Sequence, residues 1–424
     1  MFESARSEGT LPLPLCVIPS ATVKRDRLDR AGDWVHKRRR RYRMDWWERM
    51  REQFEVVQEI AYFNHAGVSP LPRRCRSYME GYLDELCGRG AFNYPGYVLE
   101  SLAKTRTAAA RLLGTRPERV FFVRSTTQGL GIAVTGIPFE EGDNVVLVKG
   151  EFPANQRPWM PLRRKGVELR FVEQRNGRVE IDDIALAIDS RTRAVSVSFV
   201  QFLSGFRIDL AAVAELCCKR DALCIVDAIQ GLGAFPLDVE KTGIDFLSAD
   251  SHKWLLGPEG AGIGYASDRA IERIEPALEG WLSVERPFDF FDLEQPLKPT
   301  AARYEEGAYN NAGLAGMRGS LEVLLEAGIE RIAGRILELT DYLAEGLVRI
   351  GLEVLSPRDR EGEKSGIVLA RKQGAESARL VEHLHRKNIF VSARGDGVRI
   401  SPHAYNTIDE IDLLLEALGE ADGG

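Results

Sequence analysis

Apolar residues along this chain fall into two recurring patterns. Trp46, Trp47, Met50, Phe54 and Val57 return at helical spacing, which predicts a helix starting at Asp45. The stretch Ile60-Ala61-Tyr62-Phe63 reads as a short strand ending in the turn Asn64-His65-Ala66-Gly67-Val68-Ser69-Pro70. From there to about residue 265, helical stretches alternate with short apolar runs. The runs are Val120–Val123, Asn144–Val148, Glu168–Val172, Ala194–Phe199, Leu223–Val226, Phe246–Ser248 and Gly262–Tyr265. They are rich in Val, Ile and Phe and do not alternate with polar residues, as suits a sheet covered on both faces. Helices between successive strands imply right-handed crossovers and a doubly wound α/β layer structure. Gly-Pro and Arg-Pro-Phe stretches between 257 and 300 read as loops. Two long helices are predicted, from about Ala312 to Ile332 and from about Arg335 to Arg349, ahead of an α+β tail.

Composition narrows this picture. The chain has 424 residues with 44% hydrophobic content, enough for a large core and suited to two domains. A net charge of −6 gives no sign of a nucleic-acid binder. The six cysteines, at 16, 75, 87, 217, 218 and 224, form no CxxC and no regular spacing. Neither a zinc site nor a disulfide framework is expected, and no metal site. No apolar run is long enough to cross a membrane. Leu11–Pro19 is broken by prolines and is a poor signal peptide, so the cytoplasm is the expected location. The first 43 residues lack periodicity and end in the basic run Lys37–Arg43. Such a run can bind polyanions. Nothing else in the chain supports that partner, so a disordered tail is expected, or an upstream start with Met44 as the real beginning.

The chemistry is concentrated in Ser248-Ala-Asp-Ser-His252-Lys253-Trp-Leu-Leu-Gly-Pro-Glu-Gly260. Apolar surroundings lower a lysine's pKa, because burial disfavours the ammonium form. A lysine that is neutral part of the time can attack an aldehyde and hold it as a Schiff base. Upstream, Cys224-Ile-Val-Asp227-Ala-Ile-Gln230 reads as a buried strand ending on a carboxylate. A Schiff-base lysine plus an acid that pairs a pyridinium nitrogen is the protein's share of pyridoxal phosphate chemistry. Phe121–Gly129 supplies a strand, the hydroxylated run Ser125-Thr126-Thr127 and a helix start. Free amides at a helix N-terminus attract phosphate.

These segments resemble the class V aminotransferase family of fold-type I pyridoxal phosphate enzymes. The nearest branch has cysteine desulfurase-like and isopenicillin N epimerase-like members. The resemblance runs from about Tyr62 to about Leu415. It implies a large, mainly parallel seven-stranded sheet domain and a smaller α+β C-terminal domain. The expected division is a tail at 1–43, an N-terminal segment at 44–66 packing with the small domain, a large cofactor domain at 67–315 and the small domain at 316–424.

The resemblance also assigns roles. Lys253 forms the Schiff base and moves the substrate α-proton. Asp227 pairs with the pyridine N–H, and Gln230 bonds the ring's phenolic oxygen. Thr126 and Thr127 hold the phosphate; the Ser125 hydroxyl and His252, next to the lysine, are expected to add further phosphate donors. In desulfurases the segment matching Glu151-Phe152 has Glu-His; here Phe152 would stack on the cofactor, without the ability to transfer a proton. Val398-Arg399-Ile-Ser-Pro-His-Ala-Tyr-Asn406-Thr resembles the motif whose arginine grips the substrate carboxylate. Asn64 and His65 match the strand lining that pocket; His65 reads equally as a ligand contact or a structural histidine. Arg303–Asn310 resembles a segment that reaches the partner's phosphate across a homodimer interface, with Gly307, Ala308 and Tyr309 at the contact. The family often has Thr where this chain has Ala308.

The cofactor motifs do not choose among transamination, desulfuration, elimination, C–C cleavage and epimerisation. The last cysteine is Cys224, and the loop around Gly362–Gly366 has no thiol. From this and Phe152, the expectation is an aminotransferase-like enzyme acting on a small α-amino acid, with a lyase or epimerase as alternative and a persulfide-forming cysteine desulfurase excluded. The substrate side chain is not legible.

Overall fold

The large sheet collects seven of the thirteen strands among the described residues and places the C-terminal ends of six of them side by side. The computed structural model describes residues 44–421; the expectations for 1–43 lie outside them. In chain order the strands are β1 (Ala61–Tyr62), β2 (Val120–Val123), β3 (Asn144–Val148), β4 (Glu168–Val172), β5 (Thr192–Ser198), β6 (Leu223–Asp227), β7 (Phe246–Asp250), β8 (Gly262–Ala266), β9 (Glu353–Val354), β10 (Val368–Arg371), β11 (Ile389–Phe390), β12 (Ser392–Arg394) and β13 (Gly397–Ile400). The large sheet has the order β2-β8-β7-β6-β5-β3-β4. Strands β4, β3, β5, β6 and β7 pair in parallel, and β8 runs antiparallel between β7 and β2.

Every residue of β2, β3, β6, β7 and β8 is buried, which accounts for their unbroken apolar character. The seven predicted strands match to within two residues at each end. Side chains on the two faces of the sheet feed two separate apolar cores. A third core lies around a four-stranded antiparallel sheet, β12-β13-β10-β9, and includes Phe63 from the N-terminal segment. That segment is tied on by β1, which pairs in parallel with β11 (Ala61 opposite Ile389).

Two helical expectations change. The first helix spans only Trp46–Arg51. Phe54 is buried without continuing it, stacked on Tyr405 with ring centroids 3.9 Å apart; burial, not helical phase, explains its apolar character. The helix expected to run to Ile332 ends at Ala327 and a new one spans Ile329–Arg349. The break is Gly328, at φ +85°, a conformation open to glycine.

Candidate active site

A cavity of about 360 Å³ opens where the chain leaves the C-terminal ends of β6 and β7. This is where open α/β sheets bind ligands, because the loops there diverge to opposite faces. Its lining includes Ser125, Thr126, Thr127, Phe152, Gln230, His252, Lys253 and Arg399. Residues scattered over much of the sequence are thus brought to one place.

Lys253 follows β7 and is 7% exposed. Burial pushes its ammonium down to about 8, against the opposing pull of Asp227 and with help from Arg399. Two links fix its position. Leu256 N–H donates to the Lys253 carbonyl at 3.0 Å, and Leu256 itself adopts φ +59°, rare for a bulky side chain. Ser320 Oγ donates to the Leu256 carbonyl at 2.7 Å, so a helix of another layer holds that turn. Trp254 Nε1 donates to Gln230 Oε1 at 3.0 Å, and Gln230 Nε2 donates to the Ala66 carbonyl at 3.0 Å. One N–H of Gln230 remains for a ligand.

Asp227 ends β6, is buried, and lies opposite Ser198 and Ser248 in the sheet. Its Oδ1 accepts from Ile229 N–H at 3.1 Å. Burial pushes its carboxyl up to about 6, with Lys253 drawing it back. The carboxylate therefore gains from any further cation or strong donor brought to it.

Ser125 caps the helix Thr126–Gly136, its Oγ accepting from Gln128 N–H at 3.1 Å. Amides in the first turn have no intrahelical acceptor and face the cavity end. Thr126 Oγ1 accepts from Asp250 N–H at 3.0 Å and keeps its own proton. His252 Nδ1 pairs with Asp250 Oδ2 at 3.0 Å.

Phe152 is 43% exposed and packs edge-on against Phe202 at 5.4 Å. The residue before it, Glu151, is buried and accepts from Ser198 N–H at 3.0 Å, from Gln201 Nε2 at 2.8 Å and from the Ser198 hydroxyl. Burial pushes Glu151 up to about 7. These bonds tie the Phe152 loop to the end of β5.

Arg399 lies in β13, 2% exposed, with one bond, to the Phe202 carbonyl at 2.8 Å, while its Nε has no partner. Burial and Arg394 push its guanidinium down to about 9. A buried guanidinium without a carboxylate is costly unless a ligand supplies one.

Other predicted residues lie elsewhere. His65 and Asn64 are absent from the lining, which takes Ala66, Gly67 and Val68 from the same turn. His65 donates from Nδ1 to the Ser401 carbonyl at 2.8 Å and accepts at Nε2 from Tyr405 at 2.6 Å. Burial pushes it down to about 4, so it stays neutral. Asn64 stands behind Gly67, where an added Cβ would come within 2.6 Å of its amide. Gly307, Ala308 and Tyr309 line a second, smaller hollow with Arg124 and Gln128. There Tyr309 donates to Glu305 at 2.7 Å, and Glu305 takes two bonds of 2.9 Å from Arg106. Sequence reasoning missed Arg394, Asp250 and Glu151. Asp250 stands two residues before His252 and Glu151 directly before Phe152, and periodicity alone marks both as ordinary polar positions.

The donor set fits pyridoxal phosphate at each end: a buried amine of lowered pKa, a buried carboxylate, a helix N-terminus with hydroxyls, and an aromatic face turned to the cavity.

Comparison with known proteins gives relatives across nearly the whole chain. A protein of Methanothermobacter thermautotrophicus named "Probable cysteine desulfurase" is 28% identical over 401 residues, covering 89% of this chain and 98% of that protein. One of the same name from Pyrococcus abyssi is 24% identical, covering 88% and 97%. Among solved structures, a cysteine desulfurase from Thermococcus onnurineus NA1 superposes with a TM-score of 0.82 at 23% identity, covering 89% of this chain and 98% of that one.

These desulfurase relatives overturn the expectation of an aminotransferase-like enzyme, or a lyase or epimerase, that forms no persulfide. That expectation rested on two absences, a thiol near 362–366 and an imidazole at 152. Both bear on how sulfur is taken up. The groups that hold cofactor and amino acid are common to all these reactions, so they argued for none of them. The family model described as aminotransferase class-V matches residues 61–414, and the chain belongs to that family of pyridoxal phosphate enzymes.

Proposed function

We propose that this protein removes sulfur from cysteine, leaving alanine, in the manner its desulfurase relatives are named for. The observation that carries the reading is the 28% identity to such a relative over 89% of the chain. The cavity supports it: a buried, unpaired Arg399 waits for an α-carboxylate within the same lining as Lys253.

When bound, pyridoxal phosphate supplies an electron sink for the substrate's α-carbon. The chain's own groups do the rest. Ser125, Thr126, Thr127 and His252 hold the phosphate, with helix amides adding donors. Asp227 keeps the pyridine nitrogen protonated, and Gln230 offers its free N–H to the phenolic oxygen. Phe152 covers one face and excludes water. Arg399 orients the amino acid through parallel charge-assisted bonds. Lys253, neutral in good part near pH 8, takes and returns the α-proton.

The working unit in this reading is a cytoplasmic homodimer in which residues 307–309 complete the partner's phosphate site. The supporting observation is local: the segment lies at a surface hollow rather than in its own chain's cofactor cavity. Among the described residues no helix is long and apolar enough to cross a membrane.

Incubating holoenzyme with cysteine and dithiothreitol tests the function. Alanine and sulfide in equal amounts support it. Pyruvate with ammonia, or no consumption of cysteine, counts against it.

A further inference from the structure

Sulfur removed in the cavity needs a thiol to receive it, and among the described residues no cysteine lines the cavity. The exposed cysteines among the described residues are Cys87 and Cys218. Cys218 lies in the last turn of the helix Leu210–Lys219, which leads into the start of β6, the opposite end of that strand from Asp227. The five strand residues from Leu223 to Asp227 separate those ends by about 13 Å. Cys87 lies near the far end of the helix Arg73–Arg89, about 20 Å along its axis from the start. The stretch 358–364 is held fast as well: Arg178 pairs with Glu363 at 2.6 Å, Arg358 with Asp341 at 2.6 Å, and Arg207 donates to the Lys364 carbonyl at 3.0 Å.

The cavity does hold a second guanidinium. Arg394 ends β12, is exposed, and lines the same cavity as Arg399. Its one hydrogen bond goes to the neighbouring Ala393 carbonyl, and it makes no ion pair among the described residues. The acid of its own hairpin, Asp396, is taken by Arg371 at 2.5 Å. One substrate carboxylate satisfies Arg399; Arg394 is left at the mouth, free to hold another anion.

Resting on the desulfurase reading, we propose that the sulfur acceptor is a small thiol bearing a carboxylate, held by Arg394 at the cavity mouth. The acceptor thiolate attacks the cysteine sulfur and forms an S–S bond. The Cβ–Sγ bond breaks, its electron pair stays with carbon, and that carbon takes a proton to become the methyl of alanine. The sum is cysteine plus R–SH giving alanine plus R–S–SH, with no outside oxidant or reductant.

The test supplies holoenzyme and cysteine with 3-mercaptopropionate, 2-mercaptoethanol or cysteamine at matched thiolate concentration. Alanine is counted, and sulfane sulfur is located by alkylation and mass spectrometry. The mercapto-acid should be favoured about tenfold, the effect of one charge-assisted bond. Arg394→Gln should abolish that preference, read as the ratio of the mercapto-acid rate to the neutral-thiol rate, and Arg394→Lys should restore part of it. Alanine formed equally with all thiols, or sulfur found on Cys16, Cys87 or Cys218, overturns the acceptor proposal and leaves the desulfurase reading standing. No alanine with any thiol overturns both.

Discussion

Lys253 Nζ stands 5.3 Å from the centroid of the Phe152 ring. The amine and the phenyl face border the same cavity from different elements, one after β7 and the other after β3. A planar aromatic aldehyde bound there meets the nucleophile at its edge and dispersion on its face.

Capture of the cofactor should follow the lysine's titration. The group titrates near 8 rather than 10.5, so its neutral fraction grows about tenfold per pH unit below 8 and levels above. The rate at which apo-protein turns yellow on adding pyridoxal phosphate should trace that curve, and borohydride should then fix the cofactor to Lys253. The sign for stability is the same. Between about 8 and 10.5 the unfolded chain binds the extra proton, so this lysine's contribution to apo-protein stability rises with pH. A rate that climbs steadily through pH 10 would show an ordinary, solvated lysine.

Asp227→Asn keeps a carbonyl oxygen for the Ile229 N–H but removes the charge. The variant should still bind cofactor, while kcat falls on the order of 10²–10³, as for loss of a preorganised charge stabiliser. Near-normal kcat would show that Asp227 does not pair the pyridinium.

Arg399→Ala should raise KM for cysteine while the cofactor spectrum stays unchanged. The charge-assisted bond is worth about 1.5–3 kcal/mol, or one to two decades in binding. Cysteamine, which lacks the carboxylate, should bind nearly as well to the variant as to the parent. Equal losses for both ligands would make Arg399 a structural residue.

Subunit mixing tests the shared site. Lys253→Ala subunits should be inactive, as should subunits disrupted at 307–309. Mixed dimers should regain part of the activity, because one of their two sites draws intact parts from both chains. In this arrangement Gly307 would let the backbone approach the phosphate closely, so that an amide could serve where Ala308 has no hydroxyl. A fully active monomer in sedimentation, or no rescue after proven exchange, contradicts the arrangement.

The seven strands of the large sheet were legible because burial on both faces leaves an unbroken apolar run with sharp ends. Helix ends were less legible. The periodicity through Gly328 hid a break that depends on one backbone angle, and Phe54 is apolar for its contact with a distant Tyr405. Asp227 and Lys253 carry their chemistry in their neighbours, an apolar strand and an apolar turn. Arg394 carries none in its neighbours. Its place in the cavity comes from the pairing of β12 with β13, a tertiary fact. The reaction itself was misread because a missing thiol says where sulfur is not stored, and nothing about whether the C–S bond is cut.

The most direct measurement of the central claim is the carbon product from cysteine in heavy water, read by NMR with the holoenzyme and a reducing thiol. The account predicts alanine carrying deuterium on its methyl carbon, formed in step with sulfide, and lost in Lys253→Ala. Pyruvate with ammonia, a keto acid made only when an amino acceptor is present, or D-cysteine without sulfur release would contradict it.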